Sequence, residues 1–387
     1  MKQRCIIVSN FYMNIPTSRP KLVYDYLSLK YSSTILTADF VHATKSFDRL
    51  VVEDVVKLRV PGYSENFSLG RILSHLIFGL KAAKYILLSK PSLVYICLPP
   101  NTVALITALI ARVVRAKVII DIIDIWPNYN KTSGRFSNFL YEIWGSFRTL
   151  ACHLSDLVIL ECELYRSYTE QIKTKKILVI PLAKKESDYV EFRNFASIDC
   201  LNIGYLGAFS KSYDFASLIE ILKLLKKKTI NVEIIGIGEY KKNFLLELKA
   251  NNIPFTDYGV VYDEDKKKEI LQKWHLGFNG VVDEAIVALS YKSIDYLSFG
   301  VPLLNNLKKD TWSLVNEFEI GFNYEADSYS KVASEIDNIS FEDLINMKYR
   351  ARFTFEKLFS WITFSKNMDS ALSKLEEFDE EKFDDNF

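Results

Sequence analysis

The chain alternates short, mainly apolar runs with helical periods, and it does so twice. In the first half the runs Arg4–Ser9, Ser33–Thr37, Val55–Val60, Leu93–Leu98, Lys117–Ile123, Leu157–Leu160 and Ile177–Pro181 are each of strand length. Runs that are apolar on both faces suit the interior of a parallel sheet. Helical periods lie among them at Lys21–Leu29, Leu69–Leu88, Thr102–Val114 and Asn138–Ser155. The pattern restarts with the strand Cys200–Leu206 and the helix Phe215–Lys227, and continues through the strands Val232–Ile235, Trp274–Asn279 and Ile320–Tyr324. Such repetition predicts an α/β fold of two Rossmann-like domains facing a central cleft. A length of 387 residues suits two cores rather than one. The polar, aperiodic stretch Ala183–Ser197 is the expected linker, and the acidic tail Glu376–Phe387 is expected to be disordered.

Composition removes several function classes. Lys and Arg number 49 against 48 Asp and Glu, a net charge of +1, so no overall field favours nucleic acid. The five cysteines form no C-x-x-C pair, and the four histidines form no H-x-x-x-H. Neither a zinc centre nor a disulfide framework is expected, and a reducing cytosol is. The apolar run Cys5–Val8 is too short for a signal peptide. The charge-poor stretch Ser92–Ala111 is broken by Pro99, Pro100 and Asn101, which predicts strand, loop and helix rather than a membrane span. The helix Leu69–Leu88 carries Arg71, His75, Lys81 and Lys84 among Leu, Ile, Phe and Tyr. It reads either as a core-facing helix or as a surface for anionic lipid.

Candidate site residues stand where strands end. The loop Asn10–Pro20 follows the first strand and offers Ser18 and Arg19, and it is not a G-x-G-x-x-G fingerprint. His42 follows the second strand, either as a base or donor to substrate or as a plain loop residue. Alternation puts Asp121 on a buried face, where a lone carboxylate is costly and needs a partner. Asp124 then stands at the strand end, facing the cleft or serving as a helix N-cap ahead of Trp126-Pro127. Glu161 and Glu163 follow another strand, as acid–base groups or solvated loop residues. In the second half Gly207 permits close backbone approach, the following helix N-terminus favours a phosphate, and Lys211 adds charge. Asp263-Glu264-Asp265, followed by three lysines, reads as an acidic helix start rather than a metal motif. Lys292 and Asp295 lie three apart on one predicted helix. Gly300 offers a left-handed cap, Pro302 prevents a restart, and Val301–Leu304 reads as a buried strand.

Two of these stretches resemble retaining glycosyltransferases of the GT-B fold, family 4 type, which build bacterial surface polysaccharides such as capsule, O-antigen and exopolysaccharide. Tyr291–Pro302 is similar to the segment S-K-x-x-E-Y-x-x-x-G-x-P, with Lys292, Asp295, Tyr296, Gly300 and Pro302 in register. Asp121–Pro127 is similar to D-x-x-D-x-W-P, and Pro61-Gly62-Tyr63, Arg71-Ile72 and Leu98-Pro99-Pro100 look similar as well. The resemblance covers most of the chain. It implies an acceptor-binding domain over 1–185, to which a C-terminal helix of about 358–387 returns, and a nucleotide-sugar domain over 198–357.

The resemblance also distributes roles. Gly207, Lys211, Gly236, Gly238, Tyr262, Lys292 and Asp295 would meet the donor: Asp295 the ribose, Lys211 and Lys292 the diphosphate, and the Gly236-Ile237-Gly238 loop and Tyr262 the base. Asp124 and Lys292 would serve catalysis, and Arg19 and His42 the acceptor. The reaction would retain configuration without metal or cofactor, on a lipid-linked glycan at the cytoplasmic face of the cell membrane, with the helix 69–90 as a membrane contact. The chain departs from the pattern at three places. Ile123 replaces a histidine, Ala208 an arginine, and Val287 a first glutamate that Glu284 or Asp283 would have to supply. Those departures keep open a non-catalytic GT-B protein that binds a partner transferase or glycan. An epimerase on the same fold would need a dense carboxylate and histidine set that the sequence lacks.

Overall fold

The computed structural model describes residues 2–15, 18–66, 68–126, 135–172, 176–185, 200–282 and 287–384. The chain divides into two compact units, Met1–Ala183 with Phe364–Phe387, and Lys184–Thr363.

The first unit runs β1 (Arg4–Val8), α1 (Arg19–Lys30), β2 (Ser32–Ala38), β3 (Phe40–Val41), β4 (Ser46–Phe47), β5 (Val55–Leu58) and α2 (Leu69–Ser89). It continues with β6 (Leu93–Leu98), α3 (Asn101–Val113), β7 (Lys117–Ile122), α4 (Arg135–Leu154), β8 (Leu157–Leu160) and β9 (Lys176–Val179). Seven strands form one sheet in the order β5-β2-β1-β6-β7-β8-β9, every neighbouring pair parallel. The strand order reverses between β1 and β6, and at such a switch point adjacent loops diverge and leave room for a ligand. Ile6, Ile7, Val94, Tyr95, Ile119, Ile120, Val158 and Ile159 are fully buried, each aliphatic one stabilising by about 1.5–3 kcal/mol. The charge-poor stretch from Ser92 is strand, loop and helix, as its prolines predict. The small antiparallel pair β3–β4 has no counterpart in the periodicity.

The buried carboxylate of Asp121 has the partner it requires. Arg19 donates to it through Nε at 2.8 Å and Nη2 at 2.9 Å, and the Tyr95 hydroxyl donates at 2.7 Å. The remaining Nη1 of Arg19 reaches the carbonyl of Ile180 at 2.8 Å. This corrects the expectation that Arg19 meets an acceptor. Its guanidinium is 1% exposed and is used up in holding β7, α1 and the end of β9 together.

The second unit runs β10 (Cys200–Leu206), α5 (Phe215–Leu224), β11 (Thr229–Ile235), α6 (Lys241–Ala250), β12 (Phe255–Asp257), α7 (Glu264–Leu271), β13 (Leu276–Asn279) and α8 (Tyr291–Ser298). Then come β14 (Leu303–Asn305), α9 (Asp310–Phe318), β15 (Gly321–Asn323), α10 (Tyr329–Asn338) and α11 (Phe341–Leu358). Its six-stranded parallel sheet has the order β12-β11-β10-β13-β14-β15, with the switch between β10 and β13. The Asp263 side chain caps α7 by accepting from the Lys266 amide at 2.9 Å, so the acidic run is a helix start. Strand β12 ends at Asp257, where Gly259 turns at φ +68° and its carbonyl accepts from the Gly236 amide.

A last helix, α12 (Trp361–Asp384), contributes Phe364 and beyond to the first unit. Phe364 packs edge-on against Tyr26, and the Tyr26 hydroxyl donates to Asp369 at 2.7 Å. The helix continues to Asp384, where disorder was expected. Glu and Lys are good helix formers, and the tail extends a helix already nucleated by packing. The stretch 186–199, most of the expected linker, lies outside the described residues. Lys184 belongs to the second unit, with its amide on the Phe359 carbonyl at 2.9 Å.

Removing Asp121 would leave the buried Arg19 without its counter-charge. Asp121→Ala should therefore lower the unfolding free energy by about 3–5 kcal/mol. Urea denaturation measures this, and a loss under about 1 kcal/mol would mean the pair is not structurally required.

Candidate functional site

Helix α8 carries the most unusual group in the molecule. Its start is capped by Ser290, whose hydroxyl accepts from the Ser293 amide, and its end closes at Gly300, φ +64°. There the amide of Val301 donates to the Tyr296 carbonyl and that of Gly300 to Leu297, the left-handed cap that the sequence predicts. Tyr296 fixes the helix to the sheet. Its hydroxyl accepts from the Leu206 amide at 2.9 Å and donates to the Phe278 carbonyl at 3.2 Å. Its ring lies so close over Gly277 that a Cβ there would stand 2.6 Å away.

This placement puts Lys292 inside the protein at the switch point. Its stem passes beside Gly207 at the end of β10, and its ammonium lies 3.7 Å from the ring centre of Tyr213 and 4.7 Å from that of Tyr205. Lys292 is 9% exposed, and its Nζ has no hydrogen-bond partner among the described residues. The two ring faces offer a cation some attraction but accept no conventional hydrogen bond. Burial pushes the ammonium down to about 7. An anion delivered beside Gly207 would supply both the acceptors and the charge that the site lacks.

Asp295, on the same helix, is partly exposed and accepts from Nζ of Lys184 at 2.7 Å. Lys184 also lies over the Phe299 ring at 4.7 Å. Sequence reasoning missed Lys184, because it stands in a stretch that reads as linker. The glycines after β11 have a structural task. A Cβ on Gly236, φ +145°, would fall 1.8 Å from the Gly207 carbonyl oxygen, so the two loops touch backbone to backbone. Gly238 makes the same kind of approach to Phe209. Lys211 and Tyr262 are exposed, Tyr262 at 87%.

The expected phosphate site at the start of α5 is corrected. Asp214 caps that helix, accepting from the Ser217 amide at 3.1 Å, and its carboxylate already holds the place an anion would take. A cavity of about 720 Å³ beside it is lined by Asp214, Glu220, Glu325 and Asp327 against Lys308, which suits no diphosphate.

In the first unit, Asp124 accepts from the Trp126 amide at 2.9 Å, a turn-capping contact, and is partly exposed. Pro127 of the same motif lies outside the described residues, as do Asp283 and Glu284. His42 is partly buried, its Nδ1 2.7 Å from the Tyr63 hydroxyl. Glu161 is a buried group that the sequence left among solvated loop residues. Its Oε2 lies 3.9 Å from Arg19 Nε with no hydrogen-bond partner. Burial, with Asp121 and Asp124 adding to it against the pull of Arg19, pushes its carboxyl up to about 8.

The sequence matches no protein-family model and no curated protein. Solved structures align over nearly the whole chain. HepE of Anabaena in complex with UDP superposes with a TM-score of 0.68 at 14% identity, over 96% of this chain and 100% of that one. Sucrose-phosphate synthase of Thermosynechococcus elongatus gives 0.69 at 11%, over 97% and 99%. The lipopolysaccharide outer core galactosyltransferase WaaB, in its apo form, gives 0.66 at 11%, over 96% and 99%. The fold is therefore GT-B, two Rossmann-like domains in one chain, and its structural neighbours are glycosyltransferases.

The buried amine carries a stability cost with a definite pH dependence. The folded pKa of Lys292 lies below its unfolded value, so the unfolded chain binds more protons between about pH 7 and 10.5 and stability rises with pH across that window. Lys292→Met should stabilise by about 2–4 kcal/mol at and below neutral pH, the gain fading as pH approaches that of free lysine. Lys348, likewise pushed down to about 7 by burial, keeps its own share of the slope. Denaturant midpoints of both proteins at several pH values test this; a variant less stable than wild type at pH 7 would sink it.

Proposed function

We propose that this chain is a glycosyltransferase that moves a sugar from a nucleotide-diphosphate sugar to a glycan acceptor. The observation that carries the reading is Lys292: a buried amine without a hydrogen-bond partner among the described residues, beside Gly207, at the switch point of the second unit. The donor diphosphate would take that position. As the bond to the anomeric carbon breaks, negative charge grows on the leaving phosphate, and Lys292 answers it with a full positive charge in a water-poor setting. Asp295 would accept from the ribose hydroxyls, with Lys184 as its counter-ion when the nucleotide is absent. Lys211 and Tyr262 are exposed and would contact the diphosphate and base from solvent. The Gly236 and Gly238 turns keep the loop close to Gly207. Asp124 and His42 of the first unit would serve the acceptor.

The finer reading follows the sequence resemblance: a family 4 enzyme of bacterial surface polysaccharide synthesis, retaining and independent of metal and cofactors. Its acceptor would be lipid-linked, at the cytoplasmic face of the membrane. Helix α2 supports a membrane contact. Leu69, Ile72, Leu73, Leu76, Leu80, Leu87 and Leu88 are all exposed on it, and by length and composition it passes for a membrane span. A face of that kind suits lying in a lipid interface. A non-catalytic GT-B protein is the second reading, favoured by Ala208, Ile123 and Val287 and by the ion pair that occupies Asp295.

Thermal midpoints against UDP, GDP, dTDP and CMP, with and without their sugars, test the reading, since a ligand of the native state raises the midpoint. HepE has been solved with UDP and with UDP-glucose, which puts the uridine series first. One series should stabilise the protein, and Lys292→Met should abolish the effect. Asp295→Ala should weaken donor binding by about 1–3 kcal/mol. Lys184→Met should leave it unchanged or tighter, because it frees the carboxylate. Silence from every nucleotide would turn the assignment to the accessory protein.

A further inference from the structure

The first unit gathers a second set of cation-bearing groups that the donor reading does not use. Arg71 and His75 stand on the first two turns of α2. His42 and Lys45 stand in the turn between β3 and β4, and Tyr63 follows β5. Phe11, after β1, closes the set: its ring centre lies 5.4 Å from that of His42 and 5.7 Å from that of His75. Tyr63 lies against the same two imidazoles at 5.7 and 6.3 Å. The Lys45 ammonium is 4.9 Å from the Tyr63 ring centre, 3.3 Å from His42 Nδ1 and 2.6 Å from Asn66 Oδ1. Arg71 spreads its guanidinium over Trp126 at 5.4 Å and donates to the Asn66 carbonyl at 2.7 Å.

Two observations make this more than a basic surface. His75 is 3% exposed and its Nε2 has no hydrogen-bond partner among the described residues, which leaves a buried ring nitrogen unsatisfied there. The charges acting on the imidazoles are all positive. Arg71 and Lys45 act on His42, and Arg71 and His42 act on His75; with burial as the larger cause they push the two rings down to about 4 and about 3. Two cationic side chains, Lys45 and Arg71, near a buried ring nitrogen left unsatisfied among the described residues, are stabilised by an anion.

We propose that His42, Lys45, Tyr63, Arg71 and His75 form a phosphate-binding site that takes the phosphate or diphosphate group of the acceptor. The site itself stands on the geometry of the first unit; only the ownership of the phosphate by an acceptor rests on the glycosyltransferase reading. Lys45 and Arg71 supply charge, His75 Nε2 and His42 supply N–H donors, and the Phe11 and Tyr63 rings wall the group from water.

The four histidines make the test direct, because their imidazole signals can be followed singly by NMR. The Lys292→Met protein is used, so that a phosphate held at the donor site does not contribute and failure of donor binding does not affect the result. Inorganic pyrophosphate should move the signals of His42 and His75 and leave those of His153 and His275 in place. Both imidazole pKa values should rise by at least one unit, about a tenfold gain in proton affinity. Lys45→Gln, at a partly exposed residue, should weaken pyrophosphate by about tenfold, and Arg71→Gln should weaken it further. Geranyl diphosphate then separates the sources. Binding about tenfold tighter than pyrophosphate assigns the phosphate to a prenyl carrier, and equal binding assigns it to a soluble phosphate ester; both sustain the site. No movement with either probe, or equal movement of all four histidines, overturns it.

Discussion

The hydroxyl of Tyr296 joins α8 to two strands at once, and the placement of the second unit's chemistry depends on that one contact. It takes the Leu206 amide of β10 and gives to the Phe278 carbonyl of β13, the two strands that flank the switch point. The absence of a side chain at Gly277 lets the ring lie flat enough for both bonds. With the helix fixed in that way, residue 292 has one direction open to it, past Gly207 and between the rings of Tyr205 and Tyr213. Asn279 reinforces the arrangement from below, donating to Ser293 and to Asn305 at 2.9 Å each. These bonds fix the helix to the sheet, and Lys292 Nζ is a buried group on it without a partner among the described residues.

The two units handle buried charge in opposite ways. In the first, Asp121 is met by Arg19 and Tyr95, and the network is closed apart from one oxygen of Glu161. A pair of that kind holds structure and is closed to substrate. In the second, the buried amine of Lys292 has no hydrogen-bond acceptor among the described residues. A folded protein keeps such a group at a cost to stability, and sites that bind anions are where that cost returns as affinity.

Most of the fold was legible in the sequence, because parallel strands buried on both faces read as continuous apolar runs. Leu93–Leu98, Leu157–Leu160 and Cys200–Leu206 have the same bounds in sequence and structure. The α8 cap was legible too, since Gly300 and Pro302 leave few alternatives. What escaped was set by contacts distant in the chain. Arg19 looked like a loop residue free for substrate until Asp121, 102 positions away, claimed it. Lys184 looked like linker until it met Asp295, 111 positions away. The start of α5 looked like a phosphate site because a strand, a glycine and a helix stand in order. The sequence could not say that Asp214 would turn its own carboxylate onto that helix. His75 read as one more residue of an amphipathic helix, and only the folding of three loops around it shows what surrounds its ring.

The contact between Gly236 and Gly207 also bears on how this protein can be altered. Where one backbone rests on another, no side chain can be added without parting the loops. Substitutions therefore have little room in the turns themselves. They have room at Lys211 and Tyr262, which stand in solvent. A chain arranged in this way separates positions that must stay constant from positions that can be rewritten.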